Sequence, residues 1–194
     1  MLINLGHVLL WHGDLDEAKA KLEEAFAFHD RAGDGVFRAH CLDRLNLTAL
    51  RRHDLEAVPA LAARSVAAAE AVDYPEYVAT AKATMAWIAW REERFEDVLS
   101  LAGEALKLWA TNVVSYPFCF VGLWPLLAVR LAAGHVAEAV EAGRQLLAPP
   151  QLRLPHEPES ALQAGIAAWE EGAPHLAAER LGQAVDLAQR LKLA

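Results

Sequence analysis

The chain has 194 residues, of which 55% are hydrophobic and 23% charged, enough for one or two packed domains or a short repeat array. Its net charge of −8 disfavours binding to nucleic-acid phosphates or to anionic membrane surfaces. The sequence has two cysteines, no secretion signal and no apolar run of the ~18 residues that a membrane-spanning helix requires, which favours a cytoplasmic protein.

Apolar residues at helical spacing predict ten helices along the chain. In chain order we expect them at residues 2–12, 14–32, 35–52, 54–73, 75–93, 95–112, 116–133, 136–148, 157–171 and 173–192. Pro75 and Pro117 fall at or near helix starts, where the missing N–H does no harm. Pro125 falls inside the seventh pattern, so that helix either bends at the proline or begins there. The proline-rich stretch 148–158 predicts an extended connection.

A fivefold repeat underlies these helices. A turn, an apolar residue and usually an acidic residue precede a small residue at positions 18, 57, 98, 139 and 177, with spacings of 39, 41, 41 and 38. A small side chain at this place lets two helices cross closely. Small or apolar residues recur twelve positions earlier, at Gly6, Leu45, Ala86, Leu127 and Gly165, and four positions later, at Leu22, Leu61, Ala102, Gly143 and Leu181. We therefore expect each unit to be a helix pair that packs through these positions.

The pattern resembles the tetratricopeptide repeat. The first unit has the characteristic residues Leu5, Gly6, Leu9, Gly13, Ala18, Leu22 and Ala25, and the fifth keeps Gly165, Gly172, Ala177, Leu181 and Ala184. Units two to four depart from it, with Arg52 and Glu93 at the place of the turn glycine, and the period exceeds the standard ~34 residues. The longer helices are closer to those of tetratricopeptide-like regulatory solenoids.

The resemblance implies an all-α fold. We expect an α-solenoid of about five tetratricopeptide-like repeats, with about ten helices in a right-handed superhelix. A single repeat domain would then cover residues 1–194, with units at about 1–33, 34–73, 74–113, 114–153 and 154–194.

The second half of the chain resembles a bacterial family of multidomain signalling proteins. The resemblance rests on the segment from "LWPLLAVRLAAGHVAEAVEAG" to the final "AAERLGQAVDLAQRLKLA". In that family a helical repeat region follows a predicted ATPase module, often with a cyclase domain or a helix-turn-helix DNA-binding domain. The resemblance implies a fragment of a larger protein, with a flanking ATPase or cyclase module as a candidate partner. The ends of the chain lack polar capping helices, which agrees with a fragment or with end repeats that bind a second copy; natural ends that fray are the alternative.

The resemblance also implies that the first helix of each pair lines a concave groove. The groove positions carried over to this sequence are His7, Leu42, Asn46, Trp87, Trp90, Trp124, Leu131, Leu162, Ile166 and Trp169. Four of the six tryptophans fall in this set, and tryptophan is costly to expose and enriched at interfaces. Two interpretations stay open: the tryptophans line a binding groove, or they pack between adjacent repeats.

Together these patterns predict a non-catalytic module that binds a protein or peptide segment and acts as a regulatory scaffold in a signalling or transcription-regulatory protein. The alternative is a small-molecule sensor that holds a metabolite among the groove tryptophans. No serine, histidine or carboxylate pattern indicates an enzyme, and the eight histidines lack metal-ligand spacing, so we expect neither a metal nor a cofactor. We also expect neither a nucleic-acid nor a membrane partner.

Overall fold

The computed structural model describes residues 2–111, 117–149 and 151–193. These residues form ten α-helices and no β-strand, which confirms the prediction of an all-α fold. The helices are α1 (Leu2–His12), α2 (Leu15–Arg31), α3 (Gly35–Arg51), α4 (Val58–Glu70), α5 (Pro75–Arg91), α6 (Phe95–Ala110), α7 (Phe120–Ala132), α8 (Val136–Leu146), α9 (His156–Glu170) and α10 (Pro174–Arg190). None of the helices in this part of the chain is both long and apolar enough to cross a bilayer.

Most helix boundaries lie within two residues of the prediction, but α4 begins at Val58 instead of residue 54. Pro59 is the physical reason. A helix that began at residue 54 would need an N–H at residue 59 to bond to the carbonyl of Leu55, and proline has no N–H. In a helix that begins at Val58, Pro59 lies in the first turn, where no N–H has an intrahelical partner.

The predicted connection at 148–158 is also shorter than expected. The last three of these positions form the first turn of α9, which begins at His156. Pro158 lies in that first turn, so its missing N–H removes no helical bond.

Helix α7 continues through Pro125 and begins at Phe120, so the alternative of a helix that begins at Pro125 is wrong. The predicted start at residue 116 lies outside the described residues. Pro125 cannot donate to the carbonyl of Val121, four residues earlier. The indole Nε1–H of Trp87 donates to this carbonyl instead, at 2.6 Å. A buried side chain therefore replaces the backbone bond that the proline removes.

Eight helices end in the same backbone motif. One to three residues beyond each of these helix ends, one residue is left-handed, and these residues are Gly13, Gly33, His53, Asp73, Glu93, Gly134, Gly172 and Lys192. The N–H of the following residue donates to the carbonyl five residues earlier, as Asp14 does to Leu9 and Asp54 does to Ala49, both at 3.0 Å. This is the Schellman arrangement, which closes a helix C-terminus. The first five of these turns are 20 residues apart, so one helix pair takes 40 residues, as the sequence spacing predicts.

Residues 16 positions apart pack together in four of the five predicted units. The pairs are Gly6–Leu22, Leu45–Leu61, Ala86–Ala102 and Gly165–Leu181. Gly6 shows how close the helices come, because a Cβ there would lie 2.7 Å from Cγ of Leu22. The two glycine pairs are in direct contact, and the other two pairs share a core cluster, as the expected role of these positions requires.

The chain divides into two compact units, residues 1–85 and 86–194, with the boundary inside α5. In the first unit α1 packs on α2, α2 on α3, and α3 on α4. Residues 41–50 of α3 are buried on every side of the helix. In the second unit α6 packs on α7, α7 on α8, and α9 on α10.

Candidate functional site

The ten residues that the sequence predicts for a groove lie on the first helix of each predicted pair, and none of the ten is exposed. Five are buried: Leu42, Asn46, Trp87, Trp124 and Leu162. Five are half-buried: His7, Trp90, Leu131, Ile166 and Trp169. The structure therefore places half of the predicted set in the packed interior.

Trp87 and Trp124 are core residues, with 1% and 0% of their surfaces exposed. The ring of Trp87 meets the ring of Trp90 edge-on, with 5.0 Å between centroids, and its N–H is bonded to Val121. Of the two interpretations left open by the sequence, this placement favours packing for Trp87 and Trp124. A ligand could reach their ring faces only by displacing core side chains.

Asn46 serves as a structural link in the first unit. Its Nδ2 donates to Oγ1 of Thr84 at 2.8 Å, and both residues are fully buried. The bond ties α3 to α5 at a point where neither side chain can reach water. The structure thus gives Asn46 a role in fixing two helices rather than in meeting a partner.

A cluster of buried and half-buried polar residues, which the sequence analysis did not single out, surrounds the middle of α3. The polar cluster consists of His40, Asp43 and Arg44 on α3, with Tyr77 and Thr80 on α5. Nη1 of Arg44 lies 3.1 Å from Oδ2 of Asp43. The Tyr77 ring stacks on the His40 ring with 5.6 Å between centroids. Charged and aromatic side chains therefore lie between α3 and α5, whereas leucine and alanine make most of the other contacts between helices.

Burial controls the ionisation of this cluster. It raises the pKa of Asp43 from 3.8 to about 6, against the opposite effects of the Arg44 cation and of the neighbouring Thr80 side chain. Burial also lowers the pKa of His40 from 6.5 to about 4, and the positive charge of Arg44 acts in the same direction. The pKa of His7 on α1 falls to about 4 for the same two reasons.

These shifts have opposite consequences for stability. The neutral forms of His7 and His40 stabilise the folded state above pH 6.5, and this contribution is lost as the pH falls towards 4. Protonated Asp43 stabilises the folded state below pH 3.8, and its contribution is lost as the pH rises towards 6. Between these limits the two histidines act against one carboxyl group, so His7, His40 and Asp43 together lower the stability of the folded state as the pH falls.

An aromatic patch lies at the surface around the turn between α2 and α3. The aromatic patch consists of Phe28, His29, Val36 and Phe37, and Phe28 and Phe37 are 58% and 46% exposed. The ring of His29 connects the two phenylalanines, since its centroid lies 5.2 Å from that of Phe28 and 4.9 Å from that of Phe37. Contiguous exposed apolar surface of this kind marks interaction sites in soluble proteins.

A second apolar surface lies on the outer side of α1. Val8 and Leu5 are 61% and 43% exposed, and Leu2 and Leu9 beside them are half-buried. The opposite side of the same helix is buried in the core, through Ile3, Gly6 and Leu10. In proteins, a helix that has apolar side chains on both sides is normally buried on both sides.

Comparison with known proteins leaves the family open. No family model matches the sequence, and no curated protein matches it. Within the described part of the chain, no three histidine, cysteine, aspartate or glutamate side chains are grouped so that they could hold a metal ion. The geometry of the exposed surfaces is therefore the basis for a functional proposal.

Proposed function

We propose that this chain is a non-catalytic protein-interaction module of a regulatory protein, and that its protein partner binds the aromatic patch. The observation that carries the proposal is the exposure of Phe28 and Phe37 around the ring of His29. Aromatic side chains are enriched at the centres of protein interfaces. Their removal from water on binding provides about 25 cal/mol for each Å² of apolar surface buried.

Charged side chains flank the patch. Nη1 of Arg38 lies 3.3 Å from Oδ1 of Asp30, and Nδ1 of His29 lies 3.6 Å from Oδ2 of Asp34. Asp34 also caps α3, because its Oδ1 accepts from the backbone N–H of Phe37 at 3.2 Å. An apolar centre with a polar rim is the usual composition of an interface, and the cap holds one of the central rings in place.

The sequence pattern supports a binding role as well, since the resemblance to tetratricopeptide repeats implies a module that binds protein segments. The burial of Trp87 and Trp124 favours a contact surface outside the predicted groove. It also disfavours the alternative, a sensor that would hold a metabolite among the groove tryptophans. We therefore assign the partner to the aromatic patch.

Site-specific photo-crosslinking in native cells tests the proposal. A photoreactive phenylalanine analogue replaces Phe37 in one variant and Ala63, on the exposed side of α4, in a control. We expect a discrete crosslinked product from position 37, none from position 63, and loss of the product when Phe28→Ser is added. Identical products from both positions, or no product from position 37, would show that the patch is not a partner surface.

The outer side of α1 provides a second control. Val8→Asp alters a more exposed apolar residue and should leave the crosslink at position 37 intact. If Val8→Asp removes the product and Phe28→Ser does not, the partner binds α1 and the assignment to the patch is wrong. Sedimentation of the purified chain then distinguishes a second copy of the chain from a different protein as the partner.

A further inference from the structure

A crevice of about 130 Å³ opens between α2, α3 and α4 in the first unit. Residues at helical spacing line it from each side, at 19, 23 and 26, at 45, 49 and 52, and at 57, 61 and 64. The crevice lies beside the start of α4. The small residues equivalent to Ala57 in the other repeats are fully buried, whereas Ala57 is half-buried and lines the crevice.

One end of the crevice carries charges of both signs. Lys19 and Glu23 project from α2, with 3.8 Å between Nζ and Oε1. Since α2 and α3 are joined by a short turn and run antiparallel, Arg52 and Asp54 at the end of α3 lie beside them. An ion pair from Arg52 to Asp16 holds the start of α2 against this end of α3. Two cations and two carboxylates therefore line the same end of the crevice.

The other end is apolar except for the guanidinium of Arg64. Phe26, Leu45 and Leu61 pack together there, and the guanidinium of Arg64 covers the Phe26 ring at 5.2 Å from its centroid. The volume is close to that of the ~150 Å³ apolar cavity known to hold benzene and well below the ~300 Å³ of drug-sized sites. The space therefore suits one branched or aromatic side chain.

We propose that the crevice binds a free α-amino acid with an apolar side chain, such as leucine or phenylalanine. The ligand carboxylate pairs with Lys19 and Arg52. Its ammonium group pairs with Glu23 and Asp54, and its side chain packs on Phe26. An acid without the ammonium group could still pair with the two cations, but it would add a negative charge beside Glu23 and Asp54 and offer them no cation, so the mixed charges favour a zwitterion. The site is separate from the aromatic patch and does not depend on the proposed protein partner.

Calorimetric titration of the full chain with a matched ligand series tests the proposal. We expect saturable binding of L-leucine or L-phenylalanine, and none of glycine, which has no side chain to fill the apolar end. N-acetyl-leucine, which lacks the ammonium group, and leucinamide, which lacks the carboxylate, should bind at least about tenfold more weakly. Equal binding of N-acetyl-leucine would contradict a zwitterion site and indicate a peptide C-terminus. Absence of binding by every apolar amino acid would overturn the proposal.

Two pairs of variants locate the bound ligand. Glu23→Gln should weaken binding about tenfold, whereas Glu24→Gln, on the same helix but outside the crevice, should not change it. Ala57→Leu fills the crevice and should abolish binding, whereas Ala60→Leu on the exposed side of α4 should not. Nuclear magnetic resonance shifts on titration should centre on the amides of Ala57 and its neighbours. Binding that survives both Glu23→Gln and Ala57→Leu would place the ligand elsewhere and refute the assignment.

Discussion

Replacement of Trp87 by phenylalanine is expected to destabilise the second unit by about 1–3 kcal/mol. A smaller aromatic ring replaces the indole, and the Nε1–H that donates to the carbonyl of Val121 at 2.6 Å is lost; the cavity left by the indole adds to the cost in both backgrounds of residue 125. Because Pro125 cannot supply the backbone donor four residues on, the variant removes the indole donor from this carbonyl, and an unsatisfied buried acceptor costs about 1–3 kcal/mol. Pro125→Ala restores a backbone N–H at the right place in α7. In that background we expect Trp87→Phe to cost at least ~1 kcal/mol less.

Guanidinium unfolding followed by circular dichroism measures the four proteins of this double-mutant cycle. Trp90→Phe is the control, since Trp90 contacts Trp87 but has no bond to Val121, and its cost should not depend on residue 125. If Trp87→Phe costs the same in both backgrounds, within the ~0.3–0.5 kcal/mol typical of independent sites, the indole does not replace the bond that Pro125 removes.

Two further predictions concern packing and pH. Gly165→Ala should destabilise the protein, although alanine favours helix by ~1 kcal/mol, because its Cβ would lie 2.8 Å from a side-chain atom and 3.2 Å from a backbone nitrogen of α10. Gly182→Ala, with nothing within 4 Å, should stabilise it by about 0.5–1 kcal/mol in thermal unfolding. His40→Phe can still stack on Tyr77 but removes a group whose pKa is about 4, so stability should fall less steeply from pH 6.5 to 4 in denaturant titrations. Asp43→Asn should make that fall steeper, since the raised pKa of Asp43 opposes the histidines.

Contrary outcomes would be informative in both cases. A stabilising Gly165→Ala would mean that α9 and α10 separate at little cost and that the sixteen-residue pairing is not tightly packed. A shallower pH dependence in Asp43→Asn would contradict the opposing signs assigned to Asp43 and the histidines.

The sequence predicts the helices and their pairing because these depend on local periodicity. Apolar spacing places all ten helices, and the small residues identify Gly6–Leu22 and Gly165–Leu181 as contacts. The start of α4 differs from the prediction because the apolar pattern extends back to residue 54, whereas Pro59 must lie in the first turn of its helix. The crevice beside Ala57 lies at this irregular start of α4, so the departure from the repeat pattern coincides with a cavity.

The surfaces were harder to predict, because periodicity does not show how many neighbours cover a helix. Trp87 falls at a position that a concave groove would expose, but the structure buries it beside α7. Asp43 and Arg44 lie in the run "CLDRLNLTAL", where apolar residues point in nearly every direction. That feature was the available signal that α3 is enclosed and that its charges are internal. Nothing in the spacing of Phe28 and Phe37 separates an exposed aromatic from a core residue.

Four of the eight left-handed turn residues carry a side chain, although glycine adopts this conformation without strain. At a residue such as Glu93 the backbone conformation costs roughly 1–2 kcal/mol, which a glycine there would recover. The turn at Glu93, between α5 and α6, is therefore a point where the stiffness of a helix connection can be adjusted away from the surfaces proposed for binding. In a series of single glycine variants, each variant would change the free energy of local opening of the helices joined at one turn. Amide hydrogen exchange in that series would then show which pair must remain closed when a partner is bound.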